Sequence, residues 1–323
     1  MPVIKHSYQW IFNINKLSRE VLFFCLLFSS ASCYTAPSAH FPKELVNWKA
    51  CEMNPVFTPQ GKNHWDTKIR ERGYIIHDDG LFHFWYTGYD GTATGTKLLG
   101  YATSTNGYQW QPHANNPIYS KLWTEDMQVI KNNDQYYMVA EGKDDIAHML
   151  VSADGINWSE LGPLDIRMKN GKPISAGPRG TPTLWIENDI WYLFYERNDA
   201  AVWLATSTDQ KIWTHIQDEP VFTRGPDQYD KYAVAFNQII KYQGSYYALY
   251  HAANTENWLT WSINIARSDD LIHWIKYPAN PIIEHNKSSA ILVPVNNRWW
   301  LYSMHRQVDL FLPPDASCKI VWQ

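Results

Sequence analysis

The stretch Ser-Ala-Asp-Gly-Ile-Asn-Trp, residues 152–158, occurs three more times in altered form along the chain. The related stretches are Ser-Thr-Asn-Gly-Tyr-Gln-Trp (104–110), Ser-Thr-Asp-Gln-Lys-Ile-Trp (207–213) and Ser-Asp-Asp-Leu-Ile-His-Trp (268–274). All four share the pattern Ser-x-Asx-x-x-x-Trp, and their tryptophans follow one another after 48, 55 and 61 residues. Self-similarity at such a period indicates one supersecondary unit that is used repeatedly.

Each unit carries the signals of four strands. Two apolar runs joined by a tight turn come first, a third apolar run precedes the Ser-x-Asx motif, and a fourth follows it. The turns contain residues that adopt hairpin conformations readily, which supports antiparallel pairing of the first two strands. These turns are Asp79-Gly80, Asn133-Asp134, Asn188-Asp189 and Gln243-Gly244.

A fifth, shorter unit covers residues 290–305, and the segment from Trp48 to Phe57 supplies the outer strands that this unit lacks. Such sharing between the two chain ends would close a ring. The sequence therefore predicts an all-β fold, a single five-bladed β-propeller with four antiparallel strands per blade, over residues 41–323.

Bulk composition excludes several classes of protein. The 323 residues carry a net charge of −4 with mixed signs, so no basic stripe indicates nucleic-acid binding. Aromatic residues make up 15% of the chain, including 17 Trp and 20 Tyr. Most of them suit packing in sheets, and a few are expected to stack against sugar rings.

Residues 1–33 are predicted to be a secretory signal. Lys16 and Arg19 precede the apolar run Val-Leu-Phe-Phe-Cys-Leu-Leu-Phe, which is too short to span a bilayer. Ser-Ala-Ser before Cys33 resembles a lipoprotein signal, so a lipid anchor on Cys33 and plain cleavage are both open. Either alternative predicts a periplasmic or extracellular protein whose membrane contact is limited to that anchor.

Only two of the four cysteines are left as candidates for a disulfide. Cys25 lies inside the signal, and Cys33 is the candidate for lipidation. Cys51 and Cys318 remain near the two ends of the mature chain. They either form a disulfide in an oxidising compartment or remain two buried thiols.

In a propeller, the start of strand one and the end of strand two meet at one mouth of the central axis. Aligned turns place Arg72, Asp126, Thr181 and Phe236 near the first position, and Thr87, Glu141, Glu196, His251 and Met304 at the second. Acidic residues recur near these positions, which favours a site. The series is Glu71, Glu125, Asp126, Glu141, Glu196, Asp199 and Asp230.

Carboxylates in an aromatic mouth suit glycoside hydrolysis, in which one protonated acid donates to the leaving oxygen and one ionised carboxylate activates water. The chain has no zinc-type Cys/His spacing, no Gly-x-Ser-x-Gly elbow and no phosphate-binding P-loop. No cofactor or metal is indicated, and no loop of Ca²⁺ ligands is recognisable for an ion on the axis.

The blade motifs, the five-unit layout and the signal resemble the five-bladed propellers of glycoside hydrolase families 43, 32, 117 and 130. Three pieces carry the resemblance: Glu125-Asp126, Tyr-Glu-Arg-Asn-Asp at 195–199, and Tyr250-His251. Glu125-Asp126-Met127 resembles a Glu-Asp-Pro segment of family 130, whose Asp is the proton donor. The chain departs from family 43, because Gly180-Thr181-Pro182 replaces its Glu-Gly-Pro and Arg70-Glu71-Arg72-Gly73 replaces its Asp-Pro.

The residues are assigned as follows. Asp126 is predicted to be the catalytic acid or an orienting carboxylate. Glu196 is the first candidate for the second proton-transfer group, Glu71 is the alternative, and Asp230 is a further candidate base. Predicted substrate-binding residues are Arg179, His251, Asp66, Glu141, Arg72 and Asp199.

Three functions remain open from the sequence. The first is an inverting, exo-acting glycosidase on oligosaccharides from plant or algal walls. The second is a family 130-like phosphorylase, with Arg72, Arg179, Arg197 and Lys231 as the cations available for phosphate. The third is a propeller that binds an oligosaccharide without cleaving it.

Overall fold

The computed structural model describes residues 40–318, and the predicted signal, including Cys25 and Cys33, lies outside the described residues. Five antiparallel sheets account for most of this range. The only helical segments in it are α1 (Lys43–Val46) and a 3₁₀ turn (Lys143–Asp145). Within residues 40–318, no helix is long and apolar enough to cross a membrane.

Blades one to three follow in chain order. Blade one contains β2 (Lys68–Ile69), β3 (Tyr74–Asp78), β4 (Leu81–Tyr89), β5 (Leu98–Ser104) and β6 (Gln111–Pro112). Blade two contains β7 (Glu125–Asn132), β8 (Gln135–Glu141), β9 (Ala147–Ser152) and β10 (Ser159–Pro163). Blade three contains β11 (Asp165–Arg167), β12 (Gly180–Glu187), β13 (Ile190–Glu196), β14 (Ala201–Ser207), β15 (Ile212–His215) and β16 (Phe222–Thr223).

Blades four and five complete the ring. Blade four contains β17 (Ala233–Tyr242), β18 (Ser245–Ala253), β19 (Trp261–Ser268) and β20 (Trp274–Lys276). Blade five contains β21 (Ala290–Val295), β22 (Arg298–Met304), β23 (Val308–Leu312) and, as its outer strand, β1 (Lys49–Ala50). The innermost strands β3, β7, β12, β17 and β21 contact one another in this order, and β21 contacts β3. The predicted five-bladed β-propeller is thereby confirmed.

The ring closes through the chain ends, as the sequence predicted. Lys49 pairs with Leu312 and Ala50 pairs with Phe311, while Phe57 forms a further bridge with Val308. A disulfide between Cys51 and Cys318 joins the same two segments, with 5.6 Å between the Cα atoms. The alternative of two buried free thiols does not hold in this structure.

Two blades differ from the predicted four-strand pattern. In blade three, β11 adds in parallel to β15 and β16 pairs with β14. In blade one, the innermost strand is interrupted between β2 and β3, at Arg70–Gly73. A Cβ on Gly73 would lie 2.5 Å from the Trp85 carbonyl oxygen, so only glycine allows the close approach that follows this interruption.

The repeated Ser-x-Asx turns pack between neighbouring blades. In blade two, the Asp154 carboxylate accepts hydrogen bonds from the amides of Ile156 (2.9 Å) and Asn157 (2.7 Å). The Gly155 carbonyl of the same turn accepts hydrogen bonds from Trp158 at 3.0 Å and from Trp85 of blade one at 2.7 Å. These turns therefore connect neighbouring blades. They lie away from the strand ends that form the mouth.

Candidate active site

Irregularities in the innermost strands orient the side chains at the mouth. The pairing register shifts between Glu125 and Gln128 in blade two and between Gly180 and Thr183 in blade three. Asp126 has a φ of 46° and Thr181 a φ of 42°, both in the left-handed region. This conformation is strained for a β-branched residue such as Thr181, and bulges of this kind redirect side chains next to active sites.

Arg72 lies fully buried beneath the mouth and ties four blades together. Its Nη1 donates to Thr183 Oγ1 at 2.7 Å and to the Asn237 carbonyl at 2.6 Å. Its Nη2 donates to the carbonyls of Asp126 and Pro182, each at 2.7 Å. Its Nε lies 3.2 Å from Asp126 Oδ1, an ion-pair contact, so the guanidinium faces the Asp126 carboxylate while both Nη atoms are hydrogen-bonded. We therefore place Arg72 below the site, as a support for Asp126.

A chain of polar contacts connects the carboxylates of Asp126 and Glu141. Thr181 Oγ1 donates to Asp126 Oδ2 at 2.9 Å, and the Thr181 amide donates to Glu141 Oε1. Burial raises the pKa of Asp126, and the negative charge of Glu71 raises it further against the opposing charge of Arg72. Burial also raises the pKa of Glu141 well above its usual range, and the charges of Asp126 and Glu125 add to the effect.

Gly180 lies between the carboxylates of two neighbouring blades. A Cβ at this position would lie 1.8 Å from Glu196 Oε1 and 2.9 Å from Glu141 Oε1. In the register of blade three, Gly180 is opposite Glu196, while Glu125 is opposite Glu141 in blade two. The absence of a side chain at Gly180 thus allows Glu141 and Glu196 to approach the same point.

Glu196 and Asp199 form a second acidic pair at the end of β13. The Asp199 amide donates to Glu196 Oε2 at 2.5 Å. Burial raises the pKa of Glu196 to about 8, with a further contribution from the charge of Asp199. Burial, followed by the charges of Asp126 and Glu71, raises the pKa of Asp199 to about 7. Both groups thus retain protons near neutral pH.

Glu71 has the opposite electrostatic environment. Its Oε1 lies 2.8 Å from Arg70 Nη2, and its Oε2 lies 3.4 Å from His305 Nδ1. Burial acts to raise the pKa of Glu71, but the hydrogen bond and charge of His305 and the charge of Arg70 outweigh burial and lower it to about 2. Glu71 is therefore ionised throughout the physiological range.

Arg70 also connects Glu71 to blade two. Its Nε lies 3.0 Å from Glu125 Oε2, and Glu125 Oε1 accepts a hydrogen bond from Trp123 Nε1 at 2.8 Å. Burial raises the pKa of Glu125 to about 7 despite the charge of Arg70. Arg70 and Glu125 thereby hold Glu71 at the edge of the acidic cluster.

His251 faces the axis as a neutral imidazole. Asn237 Nδ2 donates to its Nδ1 at 3.0 Å, which assigns the ring proton to Nε2. Burial lowers the pKa of His251 to about 4. The ring of Trp261 packs edge-on against the imidazole, with 5.0 Å between the centroids. His251 can therefore act as a hydrogen-bond donor without carrying a charge.

Two predicted site residues lie outside the acidic cluster. Asp230 is fully buried, and its Oδ2 is 2.5 Å from Lys276 Nζ on the outer strand of blade four. Asp66 is also fully buried, and its Oδ2 accepts a 3.4 Å hydrogen bond from the Gln60 amide. Burial raises the pKa of both carboxyl groups. Their side chains point into the blades, which a linear sequence does not reveal.

The four cations considered for phosphate differ in their surroundings. Arg197 donates to Ser175 Oγ at 2.9 Å and to two loop carbonyls, and Lys231 lies 5.2 Å from the Tyr232 ring centroid. The Arg179 amide donates to the Asp145 carbonyl at 2.8 Å, and this residue is partly buried. Arg72 is enclosed below the site.

A different set of cations borders the mouth. A cavity of about 490 Å³ next to Glu71 is lined by Lys68, Arg70, His305 and Arg306, together with Tyr89. The repeat register marks Met304 as the mouth position of blade five and does not mark His305 and Arg306 as site residues. Extending the blade-five register past the end of its second strand would have identified both residues. Within residues 40–318, no group of three or more His, Cys, Asp or Glu side chains is arranged to hold a metal ion.

This geometry places an ionised carboxylate near protonated ones in a partly enclosed mouth. Such separation of pKa values among neighbouring carboxyl groups is what acid–base cleavage of a glycosidic bond requires. Neutral His251 and the Glu196–Asp199 pair add hydrogen-bonding groups suited to sugar hydroxyls.

Comparison with known proteins identifies one sequence relative and several structures with the same fold. No protein-family model matches the chain. Over 231 residues it is 26% identical to the 1,2-β-oligomannan phosphorylase of Thermoanaerobacter sp. strain X514, a match that covers 66% of this chain and 74% of that protein.

Solved structures share the fold. A glycosyl hydrolase from Bacteroides ovatus superposes with a TM-score of 0.69 at 17% identity, covering 87% of this chain and 97% of the other. A structure representing the GH130 family of mannoside phosphorylases, which contains hydrolases that target β-1,2-mannosidic linkages, superposes with a TM-score of 0.67 at 16% identity. That match covers 87% of this chain and 97% of the other. The chain therefore resembles the five-bladed propellers of glycoside hydrolases and phosphorylases, as its sequence predicted.

Proposed function

We propose that this protein is an inverting, exo-acting glycoside hydrolase whose acid is Asp126 and whose water-activating carboxylate is Glu71. The observation that carries the proposal is the opposite pKa shift of these two neighbouring groups, raised for Asp126 and lowered to about 2 for Glu71. The negative charge of Glu71 itself contributes, after burial, to the raised pKa of Asp126. Glu196, the first candidate from the sequence, has a pKa raised to about 8 and suits a protonated role better.

The proposed reaction moves one proton at each carboxyl group. Asp126 transfers its proton to the glycosidic oxygen as the bond from that oxygen to the anomeric carbon breaks. A water molecule attacks the anomeric carbon from the opposite face and gives its proton to Glu71. Proton exchange with solvent restores both groups. Arg72 and Thr181 hold the Asp126 carboxyl in place during this cycle.

β-1,2-linked mannosides are the proposed substrates. The support is the sequence relative that acts as a 1,2-β-oligomannan phosphorylase and the GH130 family likeness. Oligosaccharides of plant or algal walls, which the sequence first suggested, are the comparison set. The disulfide between Cys51 and Cys318 supports an action in an oxidising compartment, in keeping with the proposed periplasmic or extracellular location.

Phosphorolysis is the second candidate, because Lys68, Arg70, His305 and Arg306 line the cavity beside Glu71. The ionised carboxylate of Glu71 argues against it, because Glu71 lines the same cavity and would repel a phosphate dianion there. Hydrolysis therefore ranks first.

The proposal can be tested by proton NMR of the purified protein. The substrates are β-1,2-mannobiose, β-1,2-mannotriose and a panel of plant and algal oligosaccharides. Each reaction is run with and without phosphate, for the wild type and for the Asp126→Asn variant. Release of a free sugar in both buffers, with the inverted anomer first and loss of turnover in the variant, is expected. A sugar phosphate formed only with phosphate would establish the phosphorylase. Binding of one oligosaccharide without turnover would establish the non-catalytic propeller.

A further inference from the structure

A second cavity opens at the mouth-facing end of blade four. Its volume is about 590 Å³, within the size range of ligand pockets. Three segments line it: residues 227–229 before β17, the β18–β19 connection with the start of β19 (Asn254 and residues 260–262), and the connection from blade four to blade five at residues 278–286. None of these residues belongs to the acidic cluster of the candidate active site.

A single aromatic ring, that of Trp261, lies between the cavity and His251 at the axis. Trp261 lines it and also packs edge-on against His251, with 5.0 Å between the ring centroids. The Trp261 amide donates to Asn286 Oδ1 at 3.1 Å, which joins β19 to the far wall of the cavity. A chain molecule with one end at the mouth could therefore cross Trp261 and reach the cavity.

The lining has the chemistry of a sugar-binding surface. Tyr229 and Trp261 offer aromatic rings, and Asn254 and Asn286 offer amides. The exposed carboxylates of Asp227 and Glu284 also line it, and neither forms a hydrogen bond or ion pair with another described residue. No Lys or Arg is among the described lining residues. Acceptor oxygens, amides and aromatic faces without Lys or Arg suit a neutral polyhydroxyl compound and disfavour an anion.

We propose that this cavity is a remote saccharide subsite, which binds a sugar unit of the same oligosaccharide whose terminal unit is cleaved at the mouth. The proposal rests on the glycoside-cleaving function proposed above. Asp227 and Glu284 accept hydrogen bonds from the hydroxyls of the remote unit, and Trp261 contacts the sugar between the two sites. The protein consequently prefers oligosaccharides to disaccharides.

Steady-state kinetics of the full chain on β-1,2-manno-oligosaccharides, from the disaccharide to the hexasaccharide, tests the subsite. Two carboxylate hydrogen bonds predict a roughly tenfold rise in kcat/KM once the chain is long enough to reach the cavity. Asp227→Ala/Glu284→Ala should remove this rise and leave kcat/KM on the disaccharide unchanged. Glu160→Ala, which removes an exposed carboxylate on the outer strand of blade two, should behave as the wild type.

Calorimetric binding of the same oligosaccharides to Asp126→Asn separates failure of the subsite from failure of the proposed catalysis. Affinity that rises with chain length, and loses the rise when Asp227→Ala/Glu284→Ala is added, supports the subsite even if no variant shows turnover. Equal affinity for all lengths, a length dependence that survives the added substitutions, or no binding of any of these oligosaccharides would overturn it.

Discussion

Glu71 and Asp126 acquire their different chemistry from their immediate neighbours. Glu71 meets Arg70 and His305, whereas Asp126 is buried between Arg72 and Thr181 with the charge of Glu71 nearby. Glu71 is therefore ionised at neutral pH, whereas Asp126 keeps its proton to a higher pH than an ordinary aspartic acid. The same residue type performs two tasks because the surroundings differ.

Replacing Glu71 by Gln should change both the rate and its pH dependence. In the wild type, activity should fall as the pH rises through the raised pKa of Asp126, because the acid loses its proton. Loss of the Glu71 charge lowers the pKa of Asp126, so this alkaline limb should move to lower pH. The rate itself should fall by about 10²–10⁴-fold, the usual contribution of acid–base catalysis. A pH–kcat/KM profile measures both effects.

Glu196→Gln is the matched comparison for that experiment. It removes a carboxyl group that is protonated near neutral pH, so the alkaline limb should stay near its wild-type position. A larger rate loss in Glu196→Gln than in Glu71→Gln would exchange the roles of the two residues.

Gly180→Ala should disable the site with the fold largely intact. The added methyl group meets Glu196 Oε1 at 1.8 Å and Glu141 Oε1 at 2.9 Å, so at least one carboxylate must move away. We expect a loss of stability of about 1–3 kcal/mol, typical of overpacking. Activity should fall by a larger factor than this loss explains at a temperature where the variant is fully folded. Thermal unfolding measures the loss of stability, and kcat measured on the same sample gives the loss of activity. A variant with the kcat of the wild type would refute the expected clash with the carboxylates.

Side-chain amides connect the innermost strands of neighbouring blades. Gln128 of β7 accepts from the Leu184 amide at 2.5 Å and donates to the Leu184 carbonyl at 3.1 Å, in β12. Gln238 of β17 makes the same pair of bonds with Leu292 of β21, at 2.7 and 2.9 Å. These strands are not paired with each other in a sheet, so the glutamines satisfy backbone groups that would otherwise be buried without partners.

Gln128→Leu should therefore destabilise the propeller. It keeps most of the side-chain volume but leaves the Leu184 amide and carbonyl without their partner, at a cost of about 2–4 kcal/mol. Chemical denaturation measures the change. Gln135→Leu, an exposed position on the next strand, is the control and should cost far less. An equal loss of stability at the two positions would contradict this role of Gln128.

As a whole molecule, the propeller is one ring whose closure depends on its two ends. Blade five takes three strands from the end of the described chain and β1 from its beginning. The Cys51–Cys318 disulfide spans 267 residues of sequence and fixes this junction covalently. Every other blade is built from one continuous segment, so the junction is the place where the ring can open.

Removal of the disulfide by Cys51→Ser/Cys318→Ser should lower Tm. Cross-links over long loops restrict the unfolded chain most, and loss of a native disulfide costs about 2–5 kcal/mol. The wild type with reductant should approach the variant, and reductant should leave the variant unchanged. Differential scanning calorimetry of both proteins with and without reductant checks the expectation. A Tm that is the same in all four samples would show that the junction is held by strand pairing alone.

The sequence predicted the ring better than the site. Strand pairs and Ser-x-Asx turns are local, so each repeat reveals its blade, and the pairing of Trp48–Phe57 with the last blade follows from the unit that lacked outer strands. Site residues depend on side-chain direction. The bulges at Asp126 and Thr181 and the contact of His305 with Glu71 arise only after assembly, as does the inward turn of Asp66 and Asp230.

Blade five is assembled from both ends of the chain. Its strands are therefore made at different times during synthesis. β1 leaves the ribosome before any other strand of the ring, and its partner β23 is the last strand to be made. Until β23 has been made, β1 has no partner strand. Such an unpaired strand edge is prone to pair with other chains.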